Sequence, residues 1–212
     1  MAVTLHGYSY SVYLRIARMT MLEKGVAWSH VEIDPFADEI PADYLALNPF
    51  GRVPTLDHDG FVLYETTANT RYIDDAFDGP SLQPEAPRER ARMNQIIAIA
   101  DSYGYWPMVR QVFSQRVFNA QRRTPDEAVI AEGLTRSRKV LAALESIAGG
   151  GDFLVGDRLT LADVHLGAMT AYFTVADEGA AALGDYPKLS AWWVAFRNGK
   201  SLAETDPGLP DD

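Results

Sequence analysis

Cysteine is absent from all 212 residues. That removes disulfides, a Cys-x-x-Cys redox pair, thiolate metal sites and a cysteine nucleophile together. Histidine is scarce: His6, His30, His58 and His165 fall at no spacing that would ligate an ion jointly, so no metal is expected. Positive charge is short as well, with 19 Lys plus Arg against 29 Asp plus Glu, a net −10. Nucleic acid and anionic membrane are therefore poor partners, because affinity for both rests on clustered positive charge. No uncharged apolar stretch approaches the ~20 residues that span a bilayer. The opening Met1-Ala2-Val3-Thr4-Leu5-His6 has no basic region leading into an apolar run, so no secretory leader is expected and the cytoplasm is the default location.

What remains is the composition of a soluble globular chain, 47% hydrophobic and 23% charged, long enough to bury a sizeable core. Val3–Tyr8 reads as a short strand. Ser9-Tyr10-Ser11 then offers hydroxyls at a helix start, apolar residues recur at helical spacing, and Gly25 supplies a stop. Trp28–Ile33 alternates like a strand, parallel to the first if the helix is a crossover. Pro41–Leu47 is a short helix broken by Asn48-Pro49. Val53–Asp57 and Phe61–Tyr64 are strands around a His58-Asp59-Gly60 turn, and a helix covers Glu65–Phe77. The order β-α-β-α-β-β-α predicts an α/β domain over residues 1–78. Prolines 80, 84 and 87 mark a linker over 79–90, and 91–212 reads as all helix. There, one long helix runs from Arg88 to about Asn119 with a kink expected at Pro107. Thr124-Pro125-Asp126-Glu127 predicts a capping box with proline in the first helical position. Thr160 and Asp163 form a second box, worth about 1 kcal/mol as a cap. Pro187 opens a last helix with Trp192, Trp193 and Phe196, and the tail from Ser201 is expected to fray.

The most informative stretch is Asn48-Pro49-Phe50-Gly51-Arg52-Val53-Pro54, followed by Glu65-Thr66-Thr67. Proline lacks an N–H and fixes φ, so it ends backbone pairing where the third strand should start. At Glu65-Thr66 a strand hands over to a helix whose first amides have no partners of their own. Free backbone groups, a carboxylate and a hydroxyl would suit a small zwitterionic peptide. Together with Gly156-Asp157-Arg158-Leu159-Thr160-Leu161-Ala162-Asp163, these runs occur in the order and spacing of one family. The chain resembles a cytosolic glutathione S-transferase over nearly its whole length, and within that family a serine-type, bacterial-style member.

The resemblance implies a thioredoxin-like N-terminal domain, an all-helical C-terminal domain and a cis Val53-Pro54 bond. It also implies glutathione as co-substrate, with the Val53 backbone paired to the cysteinyl part of the tripeptide as an added strand. Glu65 would face the γ-glutamyl ammonium, and Thr66 with the following amides would receive its carboxylate; plain helix capping is the alternative for this pair. Arg52 would reach the glycyl carboxylate. The free thiol, pKa about 8.5, needs a hydroxyl donor and a helix N-terminus to ionise near neutrality. In serine-type relatives the serine, an arginine and the glycine ending the first helix hold a fixed register, which falls on Ser11, Arg18 and Gly25. Ser11 is thus the expected thiol contact, with Tyr8 and then Tyr10 as runners-up. Arg15, one turn on from Ser11, is a candidate to raise the local potential or meet the ligand, with a surface salt bridge as the equal alternative. Tyr10, Tyr103, Trp106 and Arg110 are candidate walls for a hydrophobic electrophile, the last three on one helix face, while Val109 and Phe113 belong to the same aromatic-rich run. Asp101 is expected to be a solvated carboxylate. A homodimer is implied, with Phe50 where some relatives insert an aromatic into the partner. Conjugation of glutathione is the leading activity. A maleylacetoacetate-isomerase-like reaction is an alternative, weakened by the missing Ser-Ser-Cys run, and a non-catalytic interaction module is another.

Overall fold

The computed structural model describes residues 2–120 and 122–209. They form two compact units, 2–81 with Glu204–Gly208, and Leu82–Ala203 with Leu209. In the first unit β1 (Val3–Gly7), α1 (Val12–Glu23), β2 (Ser29–Glu32), α2 (Ala42–Leu47), β3 (Thr55–His58), β4 (Phe61–Tyr64) and α3 (Thr66–Ala76) follow in order. The sheet is four-stranded and mixed, ordered β2-β1-β3-β4, with β1–β2 parallel and the other two pairs antiparallel. This is the expected thioredoxin-like arrangement. Its core joins Leu5 of β1 to its register partner Leu56 of β3, and both to Leu14, Ala17 and Met21 of α1 and Ile73 of α3. α1 forms because Ser11 caps it and an apolar face is available to bury; it stops at Lys24, after which Gly25 turns the chain at φ +67°. Lys24 ends in a buried ion pair, Nζ to Asp74 Oδ1 3.0 Å, with a second bond to the Pro80 carbonyl at 3.1 Å. β2 is shorter than the alternation in 28–33 suggests, and all four of its residues are exposed. It is an edge strand, with β1 as its one neighbour in the sheet.

The second unit is helical: α4 (Pro87–Ile99), a π-helical segment (Ala100–Phe118), α5 (Glu127–Ile147), α6 (Leu161–Phe173), α7 (Asp177–Gly184), α8 (Pro187–Phe196) and α9 (Lys200–Glu204). α6 is buried on nearly every face, the pattern of a central core helix. The long helix expected over 88–119 is present but changes to i→i+5 bonding at Ala100, with Pro107 inside the π segment. Close packing accompanies the change: a Cβ on Gly133 of α5 would lie 2.7 Å from Gln111 Cβ and 3.1 Å from the Pro107 carbonyl oxygen, so α5 presses directly on the widened turns. Three expectations need correction. α5 is capped by Asp126, whose carboxylate accepts from the Ala128 and Val129 amides; Thr124 lies outside, because the carboxylate two residues on already satisfies the first amides. α7, which the sequence reading lacked, starts with Asp177 and Glu178 in its first turn. The tail does not fray at Ser201: α9 buries Ser201 and Leu202, and Thr205 follows fully buried. Residues 210–212 of that tail lie outside the described residues. No helix is long and apolar enough to cross a membrane among those described.

Asp163 does more than close a capping box. Its Oδ2 accepts from the Thr160 amide and hydroxyl, both 2.8 Å, while Oδ1 accepts from the Leu154 amide at 2.8 Å and the Trp192 indole at 2.9 Å. One buried carboxylate therefore ties the loop before α6, the start of α6 and α8 together. Burial pushes its pKa up, and the four donors oppose that.

Candidate functional site

Strand register gathers the candidate residues of the first unit at one end of the sheet. Thr55 pairs with both His6 and Tyr64, so Val53-Pro54 runs out of β3 between the end of β1, where Tyr8 follows, and the end of β4, where Glu65 follows. α1 and α3 both begin at this end. Three backbone features meet there. The Val53–Pro54 bond is cis. Among the described residues the Val53 amide and carbonyl have no hydrogen-bond partner, since the β3 ladder starts only at Thr55. Glu65 sits at φ +73°, ψ +114°, a conformation that costs a non-glycine residue on the order of 1–3 kcal/mol and is held only where surroundings enforce it.

The loop before Val53 rests on a buried polar cradle. Tyr44 Oη donates to the Arg52 carbonyl at 2.5 Å and lies 3.0 Å from Thr55 Oγ1. Asn48 Nδ2 donates to the same carbonyl at 2.9 Å and reaches Thr55 Oγ1 at 3.3 Å, while its Oδ1 accepts from the Phe50 amide. All three side chains are at most 2% exposed. Gly51 makes the bend, at φ +58° with its amide on the Asn48 carbonyl. The sequence alone marks Asn48 as a helix breaker at the head of the informative run and assigns no role to Tyr44 or Thr55. Burial of a Tyr, an Asn and a Thr around one loop was the available signal, but it needs the β3 register to be seen.

Glu65 makes no side-chain capping bond to α3. Its carboxylate is exposed, so helix capping is not what this acid does. Thr66, the first residue of α3, is 8% exposed, and the helix opens without a side-chain cap on its first amides. Arg52 is exposed and has no ion-pair partner among the described residues.

Four hydroxyls surround the start of α1, and they differ in what engages them. Ser9 is held by Glu32, through its amide at 2.9 Å and its Oγ at 2.5 Å. Tyr8 packs edge-on against Tyr10 (5.5 Å) and Phe36 (5.9 Å). Ser11 accepts from the Leu14 amide at 3.3 Å and donates to no described residue, leaving its proton available at the positive end of α1. Arg15 does not face this end as a free cation. It is 4% exposed, and its guanidinium meets Thr205 Oγ1 at 3.5 Å and Asp206 Oδ2 at 3.6 Å, in the C-terminal segment of the same unit.

Tyr103, Trp106 and Arg110 lie in the second unit, on the π segment. Tyr103 and Trp106 are exposed by 67% and 56% and Arg110 is half-buried, whereas Val109 and Phe113 are core. The i→i+5 bonding departs from the α spacing on which a shared face for the three was argued. Asp101 is only partly the solvated carboxylate expected, its side chain being 24% exposed. Its Oδ1 lies 3.7 Å from Nδ1 of the fully buried His165. No cluster of His, Asp or Glu able to hold a metal ion occurs among the described residues.

Two family models match in tandem: the glutathione S-transferase N-terminal domain over residues 5–81 and the glutathione S-transferase C-terminal domain over 105–199. Glutathione S-transferase F10 of Arabidopsis thaliana is 30% identical, with 84% of each chain covered. The chain belongs to the glutathione S-transferase family. Glutathione S-transferase F13 of the same plant is 29% identical over 99% of this chain and 97% of its own. Glutathione S-transferase I from maize, solved in complex with an atrazine glutathione conjugate, superposes with a TM-score of 0.83 at 26% identity, covering 97% of this chain and 96% of that one. These relatives are plant proteins, so the narrower expectation of a serine-type, bacterial-style member is not supported by them.

Proposed function

We propose that the protein is a glutathione transferase that binds the tripeptide at the end of the sheet where Val53, Glu65 and Ser11 converge, ionises its thiol and transfers the sulfur to a small hydrophobic electrophile. The observation that carries this is the unpartnered Val53 peptide group, set by register between the ends of β1 and β4. An extended peptide that pairs with it gains main-chain hydrogen bonds as an added strand would. The exposed Glu65 carboxylate receives the γ-glutamyl ammonium, and the Thr66 hydroxyl with the first amides of α3 receives the adjoining carboxylate. Arg52 supplies a cation for the glycyl end.

The sulfur then lies under α1. The Ser11 hydroxyl donates to it, and a hydrogen bond to the charged form of a thiol lowers its pKa, as does the positive end of a helix. Each unit of lowering corresponds to about 1.4 kcal/mol of preference for the thiolate. Tyr8 and Tyr10 are the runners-up, with the Tyr10 ring as a wall toward the second substrate. The thiolate lone pair forms the new bond to the electrophilic carbon as the leaving group departs with its electrons. Tyr103 and Trp106, both exposed, remain candidate surface for an apolar co-substrate, as does the half-buried Arg110. A homodimer goes with this reading, since the Phe50 ring is 67% exposed and meets Tyr64 edge-on at 5.9 Å. So does a cytoplasmic location, where glutathione keeps thiols reduced. Calorimetric titration with glutathione, followed by conjugation of a small aryl electrophile, tests the reading. Saturable binding with conjugation supports it. Absence of binding would favour a non-catalytic module, and binding without turnover a carrier.

A further inference from the structure

We infer that Tyr44 and Asn48 are positioning residues that aim the Val53 amide at the bound tripeptide; this rests on the glutathione reading above. A carbonyl oxygen has two lone pairs, and that of Arg52 spends one on Tyr44 Oη and one on Asn48 Nδ2. The oxygen is thereby saturated and fixed toward the buried cradle. The Arg52–Val53 peptide is trans, and a planar trans peptide points its C=O and its N–H in opposite directions. Holding the Arg52 oxygen inward therefore turns the Val53 N–H outward, away from the cradle. The Val53 amide has no partner among the described residues, so it is set in advance for a ligand acceptor.

Thr55 completes the device. Its hydroxyl sits within 3.0 Å of Tyr44 Oη and 3.3 Å of Asn48 Nδ2, and its backbone is the first rung of the β3 ladder on both sides. The cradle is thus anchored to the sheet rather than to the loop it orients. Without it the peptide plane is free to rotate about the Arg52 and Val53 backbone torsions, and ordering it again on binding weakens affinity. The role is confined to binding: neither side chain is placed near the sulfur by anything in the cradle, so the ionisation of bound thiol should not depend on them.

The test compares Tyr44→Phe and Asn48→Asp with the unaltered full chain. Phenylalanine keeps the ring and removes the hydroxyl. Aspartate keeps the acceptor for the Phe50 amide but sets an oxygen against the Arg52 carbonyl. Each should raise the dissociation constant and KM for glutathione by about tenfold, the order expected for one ordering hydrogen bond. Turnover at saturating glutathione and the pH at which bound thiol ionises should stay unchanged. A folded Tyr44→Phe protein with a lower melting temperature but unaltered glutathione affinity would show a merely structural cradle and overturn the inference. If the variants fold poorly, amide hydrogen exchange on the unaltered protein decides: the Val53 amide should exchange quickly alone and become protected with glutathione. Protection at Thr66 and Thr67 without protection at Val53 would overturn the inference and leave the glutathione reading intact. Failure of the unaltered protein to bind glutathione would remove both.

Discussion

Replacing Asp163 with alanine tests how the second unit is held together. The carboxylate is fully buried and accepts four hydrogen bonds. The Thr160 hydroxyl can rotate to another acceptor, but the Leu154 and Thr160 amides and the Trp192 indole are fixed in direction. Each buried donor left unpaired costs about 1–3 kcal/mol, and partial relaxation makes the total sub-additive, so the expected loss is about 3–5 kcal/mol. That is a large share of the ~5–15 kcal/mol that a folded protein possesses, and well above the ~1 kcal/mol of an ordinary cap. Urea unfolding followed by tryptophan fluorescence measures it as a lower midpoint at similar slope. Asp163→Asn should fall between, because its amide keeps one acceptor and turns a donor toward groups that already donate. The same residue sets a pH dependence. Burial raises its folded-state pKa above the unfolded value of about 3.9, so between the two the native chain binds more protons, and stability falls as pH rises through that interval. Asp163→Asn should lack this fall. A loss near 1 kcal/mol in Asp163→Ala would refute the reasoning by reducing Asp163 to a local cap.

Three other perturbations separate stability from binding. Glu65→Gly relieves the φ +73° backbone and should raise stability by about 1 kcal/mol in thermal unfolding, while calorimetry finds weaker glutathione binding; unchanged affinity would remove the carboxylate from the site. Lys24→Met removes the Nζ that pairs with the buried Asp74, whose side chain is 3% exposed, and should cost about 3 kcal/mol, with most of it recovered in Lys24→Met/Asp74→Leu; a single mutant as stable as the double would disprove a buried pair. Burial lowers the His6 pKa below 6.5, so the native chain binds fewer protons there, and its contribution to stability is lost as pH falls through that window; an NMR titration placing His6 at or above 6.5 would contradict this.

Much of the first unit was legible because its signals are local. The hairpin turn at Asp59-Gly60, the Ser11 cap and the break after Asn48 are set by backbone preferences of individual residues, and each stands where they place it. The break in strand pairing at Val53-Pro54 was legible for the same reason, since proline removes a donor wherever it sits. The cradle of Tyr44, Asn48 and Thr55 was not, because its residues meet only through the pairing of β3. The π segment was hidden too: whether a helix bonds i→i+4 or i→i+5 around Pro107 depends on what packs against it, here Gly133. α7 escaped notice because its alanine- and glycine-rich run shows weak periodicity. α9 escaped notice because Pro, Asp and Gly dominate the tail by composition, while the burial of Thr205 under Arg15 is a tertiary fact.

Absorbance titration of glutathione bound to the unaltered protein, set beside Ser11→Ala, is the most direct measurement of the central claim. The account predicts ionisation of the bound thiol well below the free value of about 8.5, moving back toward that value when the Ser11 hydroxyl is removed. An unchanged titration in Ser11→Ala with a large shift in Tyr8→Phe would transfer the role, and a bound thiol that ionises as it does in free solution would contradict the account.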